Sequence, residues 1–119
     1  MKKIIFVLSF LFSFSVMATD GPYDGIWHSE VAGYFSVQEN NGTIVVIHLS
    51  ANMGLWEAHM GQRSGTTFRV ETIMTPGAHS VINVTMTSDT TFSAVQESCH
   101  PTDLCLMPNG TVFNGTKIW

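Results

Sequence analysis

The sequence predicts an all-β fold. It is a single antiparallel meander of about eight short strands, forming a small up-and-down barrel or a partly open barrel, with a two-sheet β-sandwich as the alternative. Three observations predict it. Beyond the first 18 residues, no stretch sustains apolar residues at i, i+3, i+4 and i+7. Period-2 alternation rich in Val, Ile, Thr and Phe recurs instead, and these side chains fit a pleated surface better than a helix. Clusters of Gly, Asn, Asp and Pro divide the alternating runs at a spacing of about 8–12 residues. Short connections favour sequential antiparallel neighbours. Eight such strands can close on themselves, which removes the sheet edges and leaves room for side chains or one small ligand.

Ile26 to Ala32 forms the first expected strand. Tyr34 to Glu39 alternates, Asn40-Asn41-Gly42 supplies residues that tolerate positive φ, and Thr43 to Ser50 follows; Asn-Gly between two alternating runs is a strong hairpin signal. In Leu55 to Gly61, Trp56, Ala58 and Met60 share one face, taken as the core face, while Glu57 and His59 share the opposite one, taken as solvent-facing. Gln62-Arg63-Ser64-Gly65 turns the chain into Thr66 to Met74. There Phe68, Val70 and Met74 point to the core, and Arg69 and Glu71 point away. After the break at Pro76-Gly77, Ser80 to Thr87 directs Ile82, Val84 and Met86 inward. Ser88-Asp89-Thr90 leads into Thr91 to Ser98, and Pro108-Asn109-Gly110 leads into the last strand, Thr111 to Trp119.

The N-terminus has a secretory layout. Lys2 and Lys3 precede an apolar run from Ile4 to Met17, and Val16-Met17-Ala18 ends it with residues suited to a signal peptidase. At roughly 15 residues the run is shorter than the ~20 that a spanning helix requires. Residues 1–18 are therefore expected to be a signal peptide and 19–119 a single domain, exported to a bacterial periplasm or the extracellular space, with no stable membrane span after signal removal. An outer-membrane barrel is disfavoured, because the strands run closer to seven residues than to the ~9–11 of spanning strands.

Of the 119 residues, 45% are hydrophobic and 12% charged, which excludes a disordered chain. After residue 18 the chain holds nine acidic residues against three basic ones (Arg63, Arg69, Lys117), a net charge of −6. Three scattered cations cannot drive counterion release, so nucleic acid is not an expected partner, and anionic lipid is disfavoured for the same reason. In an oxidising compartment Cys99 and Cys105 are expected to form one disulfide around His100 to Leu104. Four Asn-x-Thr tripeptides, starting at Asn41, Asn83, Asn109 and Asn114, are read as turn chemistry.

Gly25-Ile26-Trp27 opens the meander, and this G-x-W resembles the start of the calycin barrels, the lipocalin and avidin-like proteins. The resemblance implies a barrel with a ligand-sized interior, in which Trp27 packs across the floor. It transfers no binding residues. The expected core is Trp27, Phe68, Val70, Ile82 and Val84.

Catalytic motifs are absent. The chain has no G-x-S-x-G, no Gly-rich phosphate loop and no free thiol, so it is not expected to be an enzyme. Histidines 28, 48, 59, 79 and 100 and methionines 53, 60, 74, 86 and 107 form a set that suits copper. Met53, Glu57 and His59 are the candidate ligands. Met60 points to the other face from Glu57 and His59, so no metal or other cofactor is expected. Tyr34 and Trp56 are the candidate ligand-binding aromatics, at an open mouth or on an exposed patch. The leading expectation is an exported non-enzymatic protein that binds a small apolar ligand in a barrel interior. The alternatives are a protein-binding module, such as a lysozyme-type hydrolase inhibitor docking the acidic loop Glu97 to Asp103 on a basic exported protein, and a periplasmic copper-binding protein.

Overall fold

The computed structural model describes residues 21–49 and 56–119; the expected signal peptide and Met53 lie outside them. Eight antiparallel strands follow one another around a closed barrel: β1 (Gly25–Ser29), β2 (Gly33–Asn40), β3 (Thr43–Leu49), β4 (Trp56–Ser64), β5 (Thr67–Met74), β6 (His79–Met86), β7 (Thr91–His100) and β8 (Val112–Lys117). Each strand pairs with its sequence neighbours, and β8 pairs with β1. Beyond β8 the closure continues on backbone bonds, with Ile26 N–H donating to the Trp119 carbonyl at 2.7 Å and Ile118 N–H to the Ile26 carbonyl at 2.8 Å. The meander is thus a barrel and not a sandwich.

Local chemistry explains the turns. Asn41 (φ 50°) and Gly42 (φ 83°) form a two-residue connection with both central φ values positive, the twist that joins right-handed strands. β1 ends at Ser29, three residues before the expected limit, because residues 30–32 make a tight turn. Of the tripeptides read as turn chemistry, those at Asn83 and Asn114 instead lie within β6 and β8. A Cβ at position 115 would collide with the Phe92 ring, so the absent side chain here serves packing.

The interior is aromatic. Trp27 is buried at 1% exposure and its Nε1–H donates to the Tyr23 carbonyl at 2.9 Å. Phe92 meets Trp27, Phe35 and Phe113 edge-on, with centroids 5.8, 6.0 and 6.1 Å apart. Phe68, Val70 and Ile82 are buried in the same cluster, and Val84 packs against it. These side chains nearly fill the barrel, leaving an apolar cavity of about 40 Å³.

β4 reverses the expectation. Its inward set is Glu57, His59, Gly61 and Arg63, while Trp56 and Met60 are 41% and 43% exposed. The register leaves no alternative, since directly paired residues share a face. His48, Val46 and Ile44 of β3 stand opposite Glu57, His59 and Gly61, and Val70 and Phe68 of β5 stand opposite Gly61 and Arg63. Two neighbouring strands with strongly apolar inner faces therefore dictate the face of the strand between them. Met74 is corrected as well. Between Thr72 and Met74 the β4–β5 register shifts by one residue, and Met74 emerges 60% exposed.

The inward polar residues are compensated in two groups at opposite ends of the barrel. At the end holding the β2–β3 and β4–β5 turns, the Arg63 guanidinium grips the Glu39 carboxylate through Nε at 2.8 and 2.9 Å and a terminal nitrogen at 2.7 Å. The Asp24 carboxylate accepts from the Glu39 and Gly21 backbone N–H groups. Glu57 and His59 belong to the other end.

Candidate metal centre

At that end β7 runs into the disulfide between Cys99 and Cys105, around a 3₁₀ turn at Thr102–Leu104. Beneath it, His48, Glu57 and His59 come together. The β3–β4 register sets His48 directly across from Glu57, and His59 follows on the same face one pleat later. One imidazole nitrogen from each histidine and a Glu57 oxygen all lie within 4.8 Å of one another. His59 Nε2 is 3.1 Å and His48 Nδ1 3.9 Å from Glu57 Oε2.

Neighbouring groups orient both rings. His48 Nε2 lies 2.6 Å from the Ala32 carbonyl, which can only accept, so Nε2 carries a proton there and Nδ1 is the nitrogen turned to the cluster. The same ring stacks on Phe35 with a 4.6 Å centroid separation. His59 Nδ1 is 3.3 Å from Thr72 Oγ1, a hydroxyl that also accepts from the Ser80 backbone N–H at 2.9 Å. A carbonyl or hydroxyl behind each imidazole is the outer support that fixes a metal-binding histidine.

The electrostatics are those of a partly buried anion. Burial by itself raises the Glu57 carboxyl, but His48 and His59 outweigh it and hold it at about 2, against an ordinary 4.5. Glu57 is therefore ionised at neutral pH. His59 is 1% exposed, and its Nε2 makes no hydrogen bond; Oε2 is close, but off the direction of the ring nitrogen. A polar atom so enclosed, without a well-aligned bond, is costly. Donor atoms sharing a tetrahedral ion with bonds of about 2.0–2.2 Å sit roughly 3.3–3.6 Å apart. Sub-ångström to ångström adjustments around the observed separations would bring all three donors onto one ion.

The sequence-predicted site residues divide sharply. Glu57 and His59 are in this cluster, Met53 lies outside the described residues, and Met60 points outward. His48 is the member that sequence reading missed. Its signal was available: His48 has the inward parity of Ile44 and Val46, which makes it a core position. Tyr34 and Trp56 are 48% and 41% exposed on the outer face, each paired with Leu49 between them. Of the acidic loop, Glu97 is engaged by Arg69 and Asn83. Among the described residues no helix is long and apolar enough to cross a membrane.

Fold and site together define a class: a small closed antiparallel barrel with an internal bis-imidazole–carboxylate cluster. Comparison with known proteins finds no matching family model, no matching curated protein and no matching solved structure.

Proposed function

We propose that this chain is an exported, non-enzymatic barrel protein that binds one transition-metal ion through His48, Glu57 and His59. The observation that carries the reading is the fully buried His59 Nε2, which makes no aligned hydrogen bond and lies 3.1 Å from an ionised carboxylate oxygen. A bound cation would take up that nitrogen and balance the Glu57 charge together. Two imidazoles and a carboxylate are a donor set for zinc or copper, and they leave a coordination position open. Export accords with the secretory N-terminus and with the disulfide. Kinship with the calycin barrels is supported by the eight-strand closure and the buried Trp27.

An apolar ligand in the interior has less support. The 40 Å³ cavity has room for a few water-sized groups, and a lipid-sized molecule would have to displace core side chains. Docking of the cystine loop on a basic partner draws support only from the exposed Asp103.

Calorimetric titration of chelator-stripped protein with Zn(II), Cu(II) and Cu(I) tests the metal reading. One equivalent should bind with sub-micromolar affinity, and His59→Ala should abolish it. Absence of saturable 1:1 binding below micromolar for every metal overturns the proposal.

A further inference from the structure

A small cavity of about 10 Å³, the room of one water or one ion, borders the cluster under the cystine loop. Its lining includes His48 and Glu57 together with Gln96, Cys99, Leu106 and Met107. Met107 is 7% exposed and belongs to the buried core. Two constraints fix it there. The Cys99–Cys105 bridge ties the segment to β7 two residues earlier, and the buried Gln96 side chain donates to the Met107 carbonyl at 3.2 Å.

The donors around this cavity are mostly committed. Cys99 is in the disulfide and has no thiolate to offer, and the Ser80 hydroxyl is 3.1 Å from Thr72 Oγ1. The Gln96 amide nitrogen serves the Met107 backbone. The Met107 thioether is the soft donor left among the lining residues.

We infer that Met107 supplies a fourth, thioether ligand to the His48–Glu57–His59 site and makes it selective for Cu(I). This rests on the metal reading above. Thioether sulfur binds Cu(I) well and adds little to Zn(II) or Cu(II), whereas imidazole serves all three. The methionine that shares a cavity with His48 and Glu57 is thus far along the chain from the Met53–Met60 stretch. It lies there because the Cys99–Cys105 bridge folds its segment back toward β7.

The test compares the full exported chain with Met107→Leu, an apolar swap of similar volume that keeps the packing and deletes the sulfur. Cu(I) affinity is read by competition with a chromophoric chelator under nitrogen, and Zn(II) affinity by calorimetry. Met107→Leu should lower Cu(I) affinity by at least about tenfold, the lower end of what losing even a supporting partner costs, and leave Zn(II) within about threefold. X-ray absorption of the wild-type Cu(I) form should show one sulfur scatterer, which supports the assignment even if the variant folds poorly. Equal losses for both metals, no loss for Cu(I), or a copper shell without sulfur each overturn the Met107 role while the three-residue site stands. A wild-type chain that binds neither metal overturns both.

Discussion

Met60→Ala and Gly61→Ala form a pair of opposite expectation, because the site exists only if β4 turns its polar set inward. Met60 is 43% exposed on the outer face, so truncating it removes little buried surface. The expected loss is at most about 1 kcal/mol, near the range of ordinary surface changes. Gly61 is inward, and a Cβ there would run into the backbone carbonyl of Arg69, which no side-chain rotation relieves. The β4–β5 ladder must open to admit it, at a cost of about 1–3 kcal/mol by analogy with overpacked cores. Urea unfolding read by Trp fluorescence and circular dichroism gives both values from the midpoint and slope. With the opposite face inward, Met60→Ala would instead create a core cavity costing about 2–5 kcal/mol. That result, with Gly61→Ala silent, would refute the inward orientation of Glu57 and His59 and remove the basis of the site.

Three further outcomes are expected. In metal-free protein the folded Glu57 carboxyl lies below its unfolded value, so its stabilisation is present above about pH 4.5 and is lost as pH falls toward about 2. At about 1.4 kcal/mol per unit the ceiling is roughly 3.5 kcal/mol, reduced to on the order of 1–2 by solvent at the carboxylate. Glu57→Gln should flatten that part of a stability-against-pH curve, and an unchanged acid limb would count against the coupling. Metal at 100 times its Kd should stabilise the wild type by about 2.7 kcal/mol, which is roughly 10–20 °C in Tm for a domain of this size. The shift should vanish in Glu57→Gln, as read by differential scanning calorimetry. At the other end of the barrel, Glu39→Gln leaves the Arg63 guanidinium without its buried carboxylate. It should cost about 1–3 kcal/mol in urea unfolding without altering metal affinity.

Much of the architecture was legible. Strand number, the Asn41-Gly42 turn and the inward sets of β5 and β6 up to their bulges follow from alternation and turn chemistry, which act over a few residues. The site was legible only in halves. Glu57 and His59 share a face by parity, yet which face that is cannot be read from β4, because Trp56, Ala58 and Met60 outscore them in hydrophobicity. The bulge that turned Met74 outward is equally silent in the local pattern.

The sequence by itself determined the period of the chain, the places where it reverses and the pairing of its two cysteines. The first two depend on side-chain sterics and backbone preferences within one strand or turn, and the third on there being two cysteines in a chain read as exported. Only the tertiary structure decided that β4 presents its charges to the core, since that choice is made by the apolar faces of β3 and β5 on either side. It also decided that His48, Glu57 and His59 meet, and that Met107 lines a small cavity shared with His48 and Glu57. Closing a sheet fixes the register of every strand at once, and residues far apart in the chain become neighbours through that shared constraint.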